Sequence, residues 1–252
     1  MTDIDILKEF LEFPVWSSKP VFDKFKSIDN HIFRESGVND KQRFLFINGR
    51  KENKVVLIAH ADTFCDVSKI GYNQKHFVKD EDGCFISLNE AGERTLLGAD
   101  DRAGCAILWA LKDSGHSILV TDGEESGLTG SVWLIENNPD IAELLNRHQF
   151  MIQFDRKNST DYKCYYVGTD EFRKYIEQNT NYIEPNRDSR TDICELCTDI
   201  CGVNFSVGYY REHYKDEKIN YNEWWNTLNM ARKLLSQDLP RFKLKTTNSD
   251  LA

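Results

Sequence analysis

The stretch LGADDRAGCAILWALKDSGHSILVTDGEES, residues 97–126, decides the fold class. Residues 103–111 within it are apolar on almost every side, the composition of a helix buried against a sheet. Residues 117–121, SILVT, form a short β-rich run that Asp122-Gly123 closes, so a helix is followed by a strand. Helical spacing resumes over 128–137, is interrupted at Pro139 and restarts over 139–148, before MIQFD at 151–155 supplies another buried strand.

The same alternation extends in both directions. Helical patterns open the chain over 3–12 and 20–30, with a proline-containing break between them. RFLFING at 43–49 and KVVLIAH at 54–60 read as two strands joined by a tight polar turn, which predicts a hairpin. Residues 66–96 are polar and irregular, with DEDG at 80–83 as a turn before CFISL. Further on, helices are expected over 171–179 and 188–198, and a strand at NFSVG, 204–208. A last amphipathic helix spans 222–236, where Trp224, Leu228, Ala231 and Leu235 share a face. Strands alternating with helices imply an α/β fold: a single-domain, three-layer α/β/α arrangement of residues 1–252 around a mostly parallel mixed sheet, with an antiparallel hairpin at one edge.

Composition narrows the function classes. A net charge of -9 argues against nucleic acid, because phosphate contacts need clustered Lys and Arg, and the one basic stretch, 241–245, reads as a solvated tail. The N-terminal MTDIDILKEF is acidic where a secretory signal is basic, and the longest aliphatic run, VVLIA at 55–59, is a strand's length; no membrane span is expected. Seven cysteines without a signal segment suggest reduced thiols in a cytoplasm. The CxxCxxxC string of Cys194, Cys197 and Cys201 reads as one packed helix face, since no fourth metal ligand lies nearby.

Five residues stand out against this background: His60, Asp100, Glu125, Asp155 and His213. In an open α/β sheet ligands gather beyond the carboxyl ends of the strands, where His60, Glu125 and Asp155 fall. Imidazole nitrogen and carboxylate oxygen suit zinc, and a pair of divalent ions with one hydroxide balances the charge of the three acidic ligands. Such a pair, about 3.5 to 4 Å apart, is suited to hydrolysis because it activates water and clamps the attacked oxygen. Asp62, two residues beyond His60, is placed to fix its tautomer and orientation. Glu124 and Glu125 cannot both point the same way from one backbone, so if Glu125 binds metal, Glu124 is left to move protons as general acid/base. His31, His76, His116 and His148 read as surface or packing residues.

Taken in order and spacing, HAD at 60–62, LGADDRAG at 97–104, DGEESG at 122–127, QFD at 153–155 and SVGYYREH at 206–213 resemble the co-catalytic dizinc exopeptidases and amidohydrolases, among them zinc aminopeptidases, peptidase T and glutamate carboxypeptidases. The resemblance runs from about residue 55 to 217. It implies that His60 and Asp155 hold one zinc, that Glu125 and His213 hold the other, and that Asp100 bridges them. It also implies a cis Asp100-Asp101 bond, and it relates the segment 189–192, with Asp192, to the substrate pocket. The chain departs from the carboxypeptidase and tripeptidase branches in one respect: only 58 residues separate Asp155 from His213, leaving no room for their lid or dimerisation domain. The compact single-domain aminopeptidase branch is the better match.

The expected activity is therefore metal-dependent amide hydrolysis, foremost an aminopeptidase-like exopeptidase acting on a peptide or small amide. Zinc is the expected metal, with cobalt or manganese as substitutes. The alternatives are a deacylase or deacetylase using the same metals and a zinc-binding homologue without catalysis. A phosphohydrolase is disfavoured by an absence of Arg or Lys beside the ligand phrases. Tyr209, Tyr210 and Arg211, close to His213, are candidate pocket residues, Arg211 for a substrate carboxylate. Oligomeric state is left open.

Overall fold

The computed structural model describes residues 1–64, 75–186 and 189–244. A capping box between Thr2 and Asp5 starts α1 (Asp3–Leu11), and α2 (Lys19–Phe25) has a proline in its first turn, where a missing N–H costs nothing. The chain then turns at Asn30, with φ of 60°, into β1 (His31–Glu35), so the second helix is shorter than its sequence pattern. There follow β2 (Arg43–Ile47), β3 (Val56–His60), β4 (His76–Glu81), β5 (Cys84–Asn89), β6 (Arg94–Thr95), α3 (Ala99–Ala110) and β7 (Ser117–Thr121). The second half contains α4 (Thr129–Asn137), α5 (Pro139–Leu145), β8 (Met151–Arg156), β9 (Tyr162–Lys163), α6 (Asp170–Thr180), α7 (Ile193–Leu196), β10 (Gly202–Ser206), β11 (Tyr209–Tyr210), β12 (Lys218–Asn220) and α8 (Tyr221–Leu235).

Seven strands form the main sheet in the order β1-β2-β7-β3-β8-β10-β9. Its middle, β7-β3-β8-β10, is parallel, and antiparallel strands flank it. All five residues of β3 and of β7 are buried. Their alternating side chains enter two separate cores: Leu57, Ala59, Ile118 and Val120 face α1, α3 and α8, while Val56, Ile58 and Leu119 face α4, α5 and α7. Helices thus cover both faces, as a parallel sheet requires. Trp224 of α8 is fully buried, and its indole N–H donates to the Ala103 carbonyl at 3.0 Å, tying the last helix to α3.

Three expectations are corrected. β2 and β3 are not a hairpin, because β7 lies between them, antiparallel to β2 and parallel to β3. A strand buried as completely as β3 needs partners on both sides, and the half-buried edge hairpin is β1-β2 instead. Within 66–96, the described residues from 75 onward are ordered as a second sheet, β11-β12-β5-β4 with β6 on β5, whose hairpin closes on Asp82-Gly83 with both φ positive. The helix expected over 188–198 is one turn, Ile193–Leu196, ended by the extended Cys197, so the three cysteines do not share a helix face, although each is buried. Positions 66–74, 188 and 245 of the sequence readings lie outside the described residues. Among the described residues no helix is long and apolar enough to cross a membrane.

Two buried histidines sit at the opposite end of the strands from the ligands named above. His148 Nδ1 lies 2.9 Å from the Leu144 carbonyl and Nε2 lies 2.7 Å from Ser117 Oγ; His116 Nδ1 accepts from the Val55 N–H at 3.2 Å. Burial holds both at about 4, below the ordinary 6.5. The unfolded chain therefore takes up protons that the folded chain refuses as pH falls from 6.5 toward 4. Stability should drop by on the order of 2 kcal/mol per histidine between pH 6.5 and 5. Urea midpoints at these two pH values should show a smaller drop for His148→Gln than for the parent protein; an equal drop would contradict the assignment.

Candidate metal centre

The parallel middle of the sheet delivers several side chains to one edge. His60 ends β3, Asp155 is the fifth residue of β8, and Glu125 follows β7 by four residues. Asp100 stands at the start of α3, and His213 follows β11 in a left-handed backbone conformation, φ 68°. The structure brings all five together as two groups of three that share Asp100: His60, Asp100 and Asp155, and Asp100, Glu125 and His213. In each group one ligand atom per residue lies within 4.8 Å of the others. Asp100 Oδ1 is 3.1 Å from His60 Nε2, and Asp100 Oδ2 is 3.2 Å from His213 Nε2. Asp155 Oδ1 lies 3.4 Å from His60 Nε2, and Glu125 Oε1 lies 2.8 Å from His213 Nε2.

Neighbouring groups fix these orientations. His60 Nδ1 is 2.9 Å from the backbone carbonyl of Asp62 and 3.4 Å from its carboxylate, which turns Nε2 toward Asp100. The nearer partner is thus the main chain, while Asp62 Oδ1 also accepts the Glu124 N–H at 3.2 Å. Thr191 Oγ1 and Gln153 Nε2 both donate to Asp155 Oδ2, at 2.8 and 3.0 Å, leaving Oδ1 for His60. Asp101 accepts the N–H groups of His60 and Gly104, and the Asp100-Asp101 peptide is cis. Gly104 has no alternative: a Cβ there would lie 2.1 Å from the Phe154 carbonyl oxygen. Buried Glu217 accepts the N–H groups of Leu97 and Gly98, at 3.0 and 2.7 Å, and of Asp100 at 3.3 Å. The Phe64 ring stacks on His213 with centroids 4.6 Å apart, and its N–H donates to Glu125 Oε1.

Electrostatics show how crowded the acids are. Burial pushes the Glu124 carboxyl up to about 10, and Asp155, Asp192 and Asp100 add to the effect. Burial raises Asp155 to about 7, while His213 is drawn up to about 10 by Asp100 and Glu125 against the opposing effect of burial. Without cations, the carboxylates stay ionised only by borrowing protonated imidazoles.

Asp100, Asp155, Glu125 and His213 of these groups line a cleft of about 210 Å³ together with Glu124, Arg156, Tyr165 and Tyr209, with His60 buried behind them. Three residues proposed for substrate contact lie elsewhere. Asp192 has no exposed surface and accepts from Thr121 Oγ1 at 2.5 Å beneath the site. Tyr210 donates to Glu223 at 2.7 Å, and Arg211 pairs with Asp216 at 3.0 Å and stacks on Tyr214; both line a separate depression. Strand alternation in β11 explains this, because it is Tyr209 that faces inward, its hydroxyl 3.4 Å from Asp155 Oδ1. A second correction concerns charge: Arg156, Lys157 and Arg190 all line the cleft, the first two directly after Asp155. Sequence reasoning also passed over Gln153, although a spacing of two from Asp155 on one strand face was a signal for it. Phe64 and Glu217 carried none.

No protein-family model matches the sequence. No curated protein matches it either. Solved structures do. The aminopeptidase PepT from Bacillus cereus superposes with a TM-score of 0.65 at 13% identity, covering 93% of this chain and 98% of that one. A tripeptidase from Staphylococcus aureus gives 0.66 at 16% identity, covering 92% and 96%. An aminopeptidase from the archaeon Desulfurococcus kamchatkensis gives 0.60 at 13%, covering 92% and 94%. The fold of these exopeptidases is the fold of this chain.

Replacing Glu217 by Ala would leave three N–H groups of the loop before α3 without an acceptor. We expect a loss of about 3 kcal/mol, read as a lower denaturant midpoint with unchanged m-value. A change under about 0.5 kcal/mol would show that the loop holds itself.

Proposed function

We propose that the chain is a metal-dependent amide hydrolase of the aminopeptidase kind, with residues 1–252 acting as one catalytic unit. The observation that carries this reading is the Asp100 carboxylate, whose two oxygens face two different histidine–carboxylate pairs. The donor set fits two divalent cations: each group offers imidazole nitrogen and carboxylate oxygen, which suit zinc and also accept cobalt or manganese. His60 and Asp155 would hold one ion, Glu125 and His213 the other, and Asp100 both. When bound, such a pair lowers the pKa of a water molecule and neutralises charge growing on the attacked carbonyl oxygen.

The remaining chemistry belongs to the side chains. Glu124 lines the same cleft without being a member of either group, so it is free to take the proton of the attacking water and return it to the leaving amine. Asp62 keeps His60 in the tautomer that leaves Nε2 for the metal. The named activities of the similar structures, aminopeptidase and tripeptidase, favour peptides over other amides.

Three measurements test the reading. Glu124→Gln should retain metal while kcat falls by about 10²-fold or more, since proton transfer is lost; unchanged turnover would remove Glu124 from the mechanism. Asp100→Asn should lower metal content below that of the parent in elemental analysis. An unaltered two ions per chain would exclude a bridging role. A panel of aminoacyl and N-acyl amides should be cleaved where the amine is free, and cleavage of blocked amines alone would transfer the protein to the deacylases.

A further inference from the structure

Among the described residues, Arg156 is the one cation of the cleft whose charge the fold leaves unanswered. It follows Asp155 on β8, is 7% exposed and lines the cleft, yet its Nε has no partner, and among the described residues its guanidinium enters no hydrogen bond or ion pair. The other two cations of the cleft are occupied: Lys157 by Glu212, and Arg190 by Glu195. A buried guanidinium nitrogen without a partner is unfavourable unless something else binds it. Beside it, the Tyr165 hydroxyl accepts from Asn204 Nδ2 and from Ser189 Oγ, each at 3.3 Å, so its own proton remains to be donated. Both groups open onto the same cleft as Asp100, Glu125 and Asp155.

We propose that Arg156 and Tyr165 form an anion subsite that receives a carboxylate of the substrate, so that the preferred substrate is a short peptide with a free C-terminus. This rests on the amide-hydrolase reading above. A planar carboxylate matches the guanidinium fork with two parallel hydrogen bonds. One uncompensated cation also balances a single negative charge, not the nearly double charge of a phosphate monoester. The cleft, about 210 Å³, holds a small ligand, which places the carboxylate on the same molecule as the bond that is cleaved. Arg156 is thus a specificity-determining residue.

The experiment compares the dipeptide Leu-Gly with Leu-Gly-amide on the metal-loaded wild type, Arg156→Gln and Arg156→Lys. The wild type should favour the free acid by about tenfold or more in kcat/KM, the range of a charged hydrogen-bonded pair. Arg156→Gln should bring the ratio close to one, mainly through KM, with Arg156→Lys in between. Equal use of both peptides by the wild type, or a ratio that survives in Arg156→Gln, would overturn the proposal. So would inorganic phosphate competing at micromolar concentration without any free-acid preference, which assigns the subsite to phosphate. Should Arg156→Gln fail to fold by circular dichroism, the Lys variant carries the test, because it keeps the charge and loses the fork. If the wild type hydrolyses no amide at all, the function reading falls. Calorimetric binding of the same two peptides to wild type and Arg156→Lys then decides Arg156 on its own: tighter binding of the free acid that weakens in the variant sustains it, and equal binding rejects it.

Discussion

One carboxylate shared between two imidazoles organises the reactive edge of this protein. Asp100 turns one oxygen to His60 and the other to His213, and each histidine has a further carboxylate at hand. Acids this close cannot all be ionised in a buried site unless positive charge is supplied. Protonated histidines supply it poorly, because each brings one charge and buries it at a cost. Divalent cations would supply twice as much at the point where the oxygens converge, and the imidazole and carboxylate donors grouped around Asp100 are of the types such ions take.

The scaffold pays for this crowding with order around it. Most of these residues leave a strand end or a helix start, and neighbouring groups hold their backbones or side chains in place. Asp101 accepts the His60 amide, Glu217 gathers the amides before α3, Thr191 and Gln153 hold one oxygen of Asp155, and Phe64 packs on His213. Arg102, also fully buried, binds the carbonyls of Ala61, Pro14 and Ser17, so it joins the N-terminal segment to the loop after β3. These contacts fix the geometry before any ion or substrate arrives, which is how a site avoids reorganising during the reaction.

Much of this was legible in the sequence because its signals are local. A continuous apolar run such as VVLIA belongs to a doubly covered strand, and a polar residue just beyond it, His60, must then sit at the sheet edge. The same argument located Asp155 and Glu125. What was not legible depends on long-range pairing. No pattern in 43–60 shows that a strand made of residues 117–121 inserts between β2 and β3. Likewise β5, within the polar residues 76–95, pairs with β12 more than 120 positions later, which joins the local β4-β5-β6 strands to the segment around His213. Tyr210 and Arg211 were misplaced by one residue of strand alternation, and Asp192 by burial that a sequence does not display. Arg156 was visible as a letter beside Asp155, but its lack of an ion pair among the described residues is a property of the packed cleft.

Anomalous X-ray diffraction from crystals grown with zinc, recorded on both sides of the absorption edge, examines the central claim directly. Two peaks about 3.5 to 4 Å apart, one on either side of the Asp100 carboxylate, are the result this account predicts. A single peak, or metal bound only at surface positions away from His60 and His213, would contradict it.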